Sequence, residues 1–187
     1  MSRRKTAAAL AFAAGVVFSF HLWAQQAPMP ANKEDKIKNA MSAAPEAIAR
    51  NATIMDHATA PGGQPVELRK GTNGWTCLPD MHDTPANDPM CMDKNAMQWA
   101  EAWMAKKTPA MSGVGIGYML QGGSTPDNDD PMAKTPKPGK SWIQEPPHIM
   151  VFGAKFDPAV HSNAPNTTAP WVMWKGTPYE HLMVPVK

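Results

Sequence analysis

Proline most constrains what this chain can build. All twenty prolines, and twelve of the thirteen glycines, lie beyond residue 24 in a chain of 187. A proline interrupts a helix interior and removes a donor from a sheet, so this density confines the chain to short elements between turns and excludes a long helical bundle. The same stretch is thin in ordinary core formers, with 19 Leu, Ile, Val and Phe in total. So few would mark a disordered chain. Fourteen of the fifteen Met, six of the seven Trp and both Tyr also fall there, however, and a near-zero net charge gives no self-repulsion to keep the chain expanded. A core built from methionine and tryptophan is expected.

Arg3, Arg4 and Lys5 precede an apolar run from Ala7 to Phe20 and a small residue at Ala24. That order of charge, apolar run and cleavage residue predicts a secretory signal peptide over residues 1–24. Ser2-Arg3-Arg4 leaves twin-arginine export open beside the general secretory route. Cleavage would leave 15 basic against 16 acidic side chains, so no basic footprint for nucleic acid remains. The apolar run is too short for a membrane span, and no cysteine follows it for lipidation. The sequence thus predicts a soluble periplasmic or secreted monomer with no membrane anchor and no identified partner. Residues 25–41 are polar and aperiodic and read as a flexible leader, with a single globular domain over 42–187.

Cys77 and Cys91 are the only cysteines, and a pair in an exported chain predicts a disulfide. Asp93 can cap a helix over about 93–107, in which Ala96, Met97, Trp99, Ala100, Trp103 and Met104 share one arc and form a core face. Pro45 and Glu46 suit the first turn of a short N-terminal helix. Gly113-Val114-Gly115-Ile116-Gly117-Tyr118 lacks the third glycine of a dinucleotide loop. As a strand it puts Val114, Ile116, Tyr118 and Leu120 on one face, while the glycines flatten the other for the helix to approach. The expected fold is α+β: a small, loop-rich, mainly antiparallel sheet of five or six short strands with one amphipathic helix and the short N-terminal one.

Several strings, Gly71-Thr72-Asn73-Gly74-Trp75-Thr76-Cys77, Asp88-Pro89-Met90-Cys91, His148-Ile149-Met150-Val151 and Trp171 through Tyr179, resemble those of an uncharacterised family of bacterial secreted proteins. The resemblance would span most of the chain after residue 24. It implies export and a shared fold, and it carries no activity to any residue.

Chemistry must therefore come from the side chains. No serine sits in G-x-S-x-G, and the adjacent pairs Asp56-His57, His82-Asp83 and Glu180-His181 make poor dyads, because neighbours on a strand face opposite ways. Asp127-Asn128-Asp129-Asp130 opens like a calcium loop but has Met132 and Pro138 where glycine and glutamate belong, and reads as a solvated turn. Four of the five histidines after residue 24 lie within two positions of a methionine. Imidazole and thioether together suit Cu(I), and His148, Met150, His181 and Met183 fall in two expected strands where residues two apart share a face. These four are the candidate metal ligands, copper being the one cofactor with a candidate site. Trp75, Trp142, Trp171 and Trp174 are candidates for a recognition surface. The leading functional reading is a non-catalytic binding or structural module. A periplasmic copper-binding protein and a hydrolase-type enzyme without a recognisable motif are the alternatives.

Overall fold

A computed structural model describes residues 32–58, 63–157 and 159–186. The expected signal peptide (1–24) and residues 25–31 of the leader lie outside the described residues. Among these there are three helices, α1 (Lys33–Met41), α2 (Glu46–Ala49) and α3 (Lys94–Met104). Ten strands accompany them: β1 (Thr53–Asp56), β2 (Val66–Arg69), β3 (Thr76–Leu78), β4 (Met90–Met92), β5 (Gly115–Met119), β6 (Gly123–Thr125), β7 (Ile143–Glu145), β8 (His148–Phe152), β9 (Trp171–Met173) and β10 (His181–Pro185). Eight strands make one sheet in the order β2-β1-β3-β4-β5-β8-β10-β9, and β6 pairs with β7 as a separate ribbon.

The sheet corrects the expected fold in size and in kind. It has eight strands rather than five or six, and it is mixed, because β1 and β3 run parallel. The physical reason is strand length. β3, β4, β6, β7 and β9 are three residues each, too short to show the two-residue alternation by which a strand is recognised. Their neighbours supply the backbone hydrogen bonds that so short a segment cannot obtain alone.

Register decides which side chains share a face. Met92 stands opposite Gly117, Gly117 opposite Met150, Met150 opposite Met183 and Met183 opposite Trp171, giving one row across five strands. This row belongs to the main core, with Leu78, Met119, Phe152, Met173, Trp174 and Tyr179, and α3 adds Ala96, Trp99 and Ala100. Met and Trp thus fill the interior, as the shortage of Leu and Val requires. The other face carries a second core of Ala40, Ala43, Ala44, Ala49, Ala52 and Ile54 around Cys77 and Cys91.

The start of α3 is tied to β5 by one side chain. Asp93 Oδ1 accepts from the Ala96 N–H at 2.8 Å, while Oδ2 accepts from the Ile116 N–H at 2.9 Å. The glycines of β5 allow the resulting closeness: a Cβ at Gly115 would lie 2.5 Å from Ala96 N. The helix ends at Met104, short of the expected 107, because Lys106 turns into the left-handed region (φ 55). Met104 is consequently 60% exposed and not part of the buried face.

Residues 33–41, assigned from sequence to a flexible leader, form α1. Asn32 caps it by accepting from the Asp35 N–H at 2.9 Å. Its apolar stripe is only Ile37, Ala40 and Met41, too brief to reveal a helical period, and tertiary contacts complete it. Lys36 Nζ pairs with Asp56 Oδ2 at 2.7 Å, and Asn39 Nδ2 donates to Asn87 Oδ1 at 2.8 Å.

The Cys77–Cys91 disulfide is present, linking directly opposed positions of β3 and β4. It closes the loop 79–89 at its base. On the chain-entropy model, reduction is expected to lower the unfolding free energy by roughly 3 kcal/mol. Paired urea melts with and without reductant measure this; coincident midpoints would show that the bridge contributes no stability.

Candidate functional site

The four copper candidates lie on neighbouring strands and on one face. β8 and β10 are antiparallel, Met150 is directly opposite Met183, and all four side chains are buried. The two imidazoles are nevertheless kept apart. His148 pairs with Pro185 and His181 with Phe152, so their register positions differ by about 13 Å of strand rise. Donors to one ion must lie within roughly 4 to 5 Å of each other. The four side chains therefore do not surround one ion.

Each ring is also committed to the core. His148 Nδ1–H donates to Pro146 O at 2.7 Å and His181 Nδ1–H to Tyr179 O at 2.9 Å. The His181 ring sits among Trp99, Phe152 and Trp174, with centroids 5.0–5.2 Å away. Burial disfavours the charged ring and pushes both histidines down to about 4. The Met150 methyl lies over Gly117, where a Cβ would stand 2.9 Å from it, so its thioether fills the space left by a missing side chain. Among the described residues, no three His, Cys, Asp or Glu side chains are grouped to hold a metal ion.

The segment Asp127–Asp130, read from sequence as a solvated turn, is solvated only in its second half: Asp127 and Asn128 are buried, while Asp129 and Asp130 are exposed. Asp127 Oδ1 accepts from the Asp129 N–H at 2.8 Å, and Oδ2 accepts from Lys137 Nζ at 2.6 Å. The lysine hydrogen bond holds the Asp127 carboxyl below the usual carboxylate range. Backbone and side chain here anchor the indoles: Trp174 Nε1–H donates to Asp127 O at 3.1 Å and Trp171 Nε1–H to Asn128 Oδ1 at 3.2 Å. Trp171 and Trp174 are therefore core residues and not a recognition surface. Trp75 and Trp142 are half-buried.

The most chemically distinctive cluster has no signature as a group in the sequence, although His82 and His148 stand out there singly. Asp80, His82, Thr84 and Asp88 come from the loop between β3 and β4, Glu145 from the end of β7, and His148 from the start of β8. His82 Nδ1 lies 3.0 Å from Asp80 Oδ2, so the partner of His82 is two residues back and not the adjacent Asp83. Thr84 Oγ1–H donates to Asp88 Oδ2 at 2.5 Å. His148 Nε2 faces Glu145 Oε2 at 4.0 Å, with the side chains 0% and 6% exposed. Glu145 Oε1, His82 Nε2 and His148 Nε2 are buried without a hydrogen-bond partner. Burial, and then the negative charge of Asp88, raises Glu145 to about 8. Burial and the Asp80 carboxyl raise Asp88 to about 7. At neutral pH the cluster therefore holds carboxylic acid protons beside a neutral imidazole. Pro79-Asp80 and Asp88-Pro89 at the two ends of the disulfide loop were the only local hint, since nothing local connects them to Glu145.

Compared with family models, curated proteins and solved structures, the chain matches none. Among the described residues, no helix is long and apolar enough to cross a membrane.

Proposed function

We propose that this chain is an exported, non-catalytic binding or structural module. One observation carries the reading: His148 and His181, the two imidazoles of the candidate metal set, are 0% and 2% exposed and bound through Nδ1 to backbone carbonyls. A general base must come within hydrogen-bond reach of the proton it removes, and these rings are spent on the interior instead. Export is supported by the basic and apolar order of residues 1–24 and by the Cys77–Cys91 disulfide, which persists in oxidising compartments.

Two measurements test this function. Expressed whole with a carboxy-terminal tag in a Gram-negative host, the chain is expected in the periplasmic fraction with Gln25 as its first residue. Retention of residues 1–24 in the cytoplasm would overturn the export half. In Cu(I) titration with a chromophoric competitor, the purified protein is expected to leave the competitor loaded. A one-to-one complex that disappears in His181→Ala would replace the module reading with the copper one.

A further inference from the structure

Two carboxyl groups of the loop 79–89 and one from β7 converge where that loop meets the β6–β7 ribbon. Asp80 and Asp88 stand near the two ends of that loop, and the Cys77–Cys91 bridge pins its base. Glu145 is directly opposite Gly123 in the ribbon. A Cβ at Gly123 would lie 3.0 Å from Glu145 Oε2 and 3.6 Å from Asp88 Cβ, so both acids press on the same glycine. Unpartnered Glu145 Oε1 and His148 Nε2 add two buried acceptors from outside the loop.

We propose that this cluster is a proton-dependent clasp, which holds the loop 79–89 against the β6–β7 ribbon while its carboxyl protons are in place and releases the loop, with the sheet intact, when they are lost.

The groups facing the clasp are predominantly acceptors. The loop supplies Asp80, His82, Asp83, Asp88 and the Thr84 hydroxyl, β7 supplies Glu145, and β8 supplies His148. From α1, Asn39 Oδ1 accepts from the Asp80 N–H at 2.8 Å, while Lys36 is engaged by Asp56. The charges acting on Asp88 are Asp80 and Asp83, and the charge acting on Glu145 is Asp88. Each is negative when ionised. Asp80 and Asp88 can share a proton within the loop, and a neutral Glu145 can face Asp88 without repulsion; once the protons are lost, anions from loop and ribbon face each other in a poorly hydrated space. Because the disulfide confines the loop ends, the loop can detach without unravelling β3 or β4.

The sign follows from linkage. Both acids hold their protons more tightly in the closed form, with folded values of about 7 and about 8 against ordinary values of 3.8 and 4.5. Their contribution is complete at acid pH and disappears as pH rises through about 7 to 8. His148 and His181 act oppositely, since rings lowered to about 4 from 6.5 favour the folded state above that range. The two effects offset each other between about pH 4 and 6.5 and leave the acids alone above it.

Limited proteolysis of the oxidised protein isolates the loop, because a cut inside it separates fragments only on a reducing gel. Normalised to the reduced, alkylated chain, cleavage within 79–89 is expected to rise about tenfold or more from about pH 6 to about pH 8.5. Glu145→Gln and Asp88→Asn, neutral mimics of the protonated acids, should lose most of that rise. No rise in the parent protein, or an equal rise in both variants, would overturn the clasp. Should the variants fold poorly, carboxyl carbon NMR of the parent decides the matter: two carboxyls titrating near pH 7 to 8 are expected, and titration of every carboxyl below about pH 5 would refute the clasp.

Discussion

Trp99→Ala is expected to lower the unfolding free energy by about 3–5 kcal/mol, the usual cost of emptying a buried tryptophan site. Trp99 is the centre of the aromatic core. It stacks on Trp174 and Trp103 at 5.9 and 6.2 Å, lies 4.4 Å from Phe152, and meets Tyr179 and His181 edge-on. Alanine would leave a cavity between α3, β8 and the Trp174 turn, and few side chains there can move to fill it. A loss of that size is a large part of the roughly 5–15 kcal/mol that keeps a domain folded. Trp99→Phe should cost less than half as much. Phenylalanine keeps most of the contact area and removes the indole N–H, which is buried without a partner and carries a desolvation penalty of about 1–3 kcal/mol. Urea denaturation followed by far-UV circular dichroism ranks the variants; an alanine variant within 1 kcal/mol of the parent would show that the stack is not the stabilising centre.

Gly115→Val should damage the fold at least as severely, from the opposite cause. Even the first carbon added at Gly115 would lie 2.5 Å from Ala96 N and 2.8 Å from Ala96 Cα, backbone atoms that cannot swing aside. The first turn of α3 would have to lift off β5, breaking the two hydrogen bonds between Asp93 and Ile116: the Ile116 N–H to Asp93 Oδ2 and the Asp93 N–H to Ile116 O. Overpacking of this kind costs about 1–3 kcal/mol for a modest group and more where backbone must move. Gly115→Ala is therefore expected to reach the top of that range, and the valine variant to yield little folded protein. Gly113→Ala is the control, because its nearest neighbour is the flexible amide of Asn95 at 3.3 Å. Thermal melts of the three variants should follow the order Gly113→Ala, Gly115→Ala, Gly115→Val from most to least stable. A Gly115→Ala protein melting with the Gly113→Ala control would contradict the close approach.

The sequence by itself determined those features whose cause is local. Asp93 ahead of an Ala, Met and Trp stripe specifies where α3 starts and which side it buries, and two cysteines in one chain specify their pairing. The alternate glycines from Gly113 to Gly117 specify a flat strand, and the poverty in Leu and Val specifies a methionine and tryptophan interior. Tertiary structure alone decided the rest. Three-residue strands such as Met90–Met92 become strands only when neighbours accept and donate their backbone hydrogen bonds, so neither the eight-stranded order nor the parallel β1–β3 pair has a local signature. The register of β8 against β10 placed Met150 opposite Met183 while keeping His148 and His181 at opposite ends of the same face. Asp88 and Glu145 are ordinary acids in the linear chain. Their protons are held up to neutral pH because folding carries them out of water and beside one another, a consequence of contacts between residues far apart in sequence.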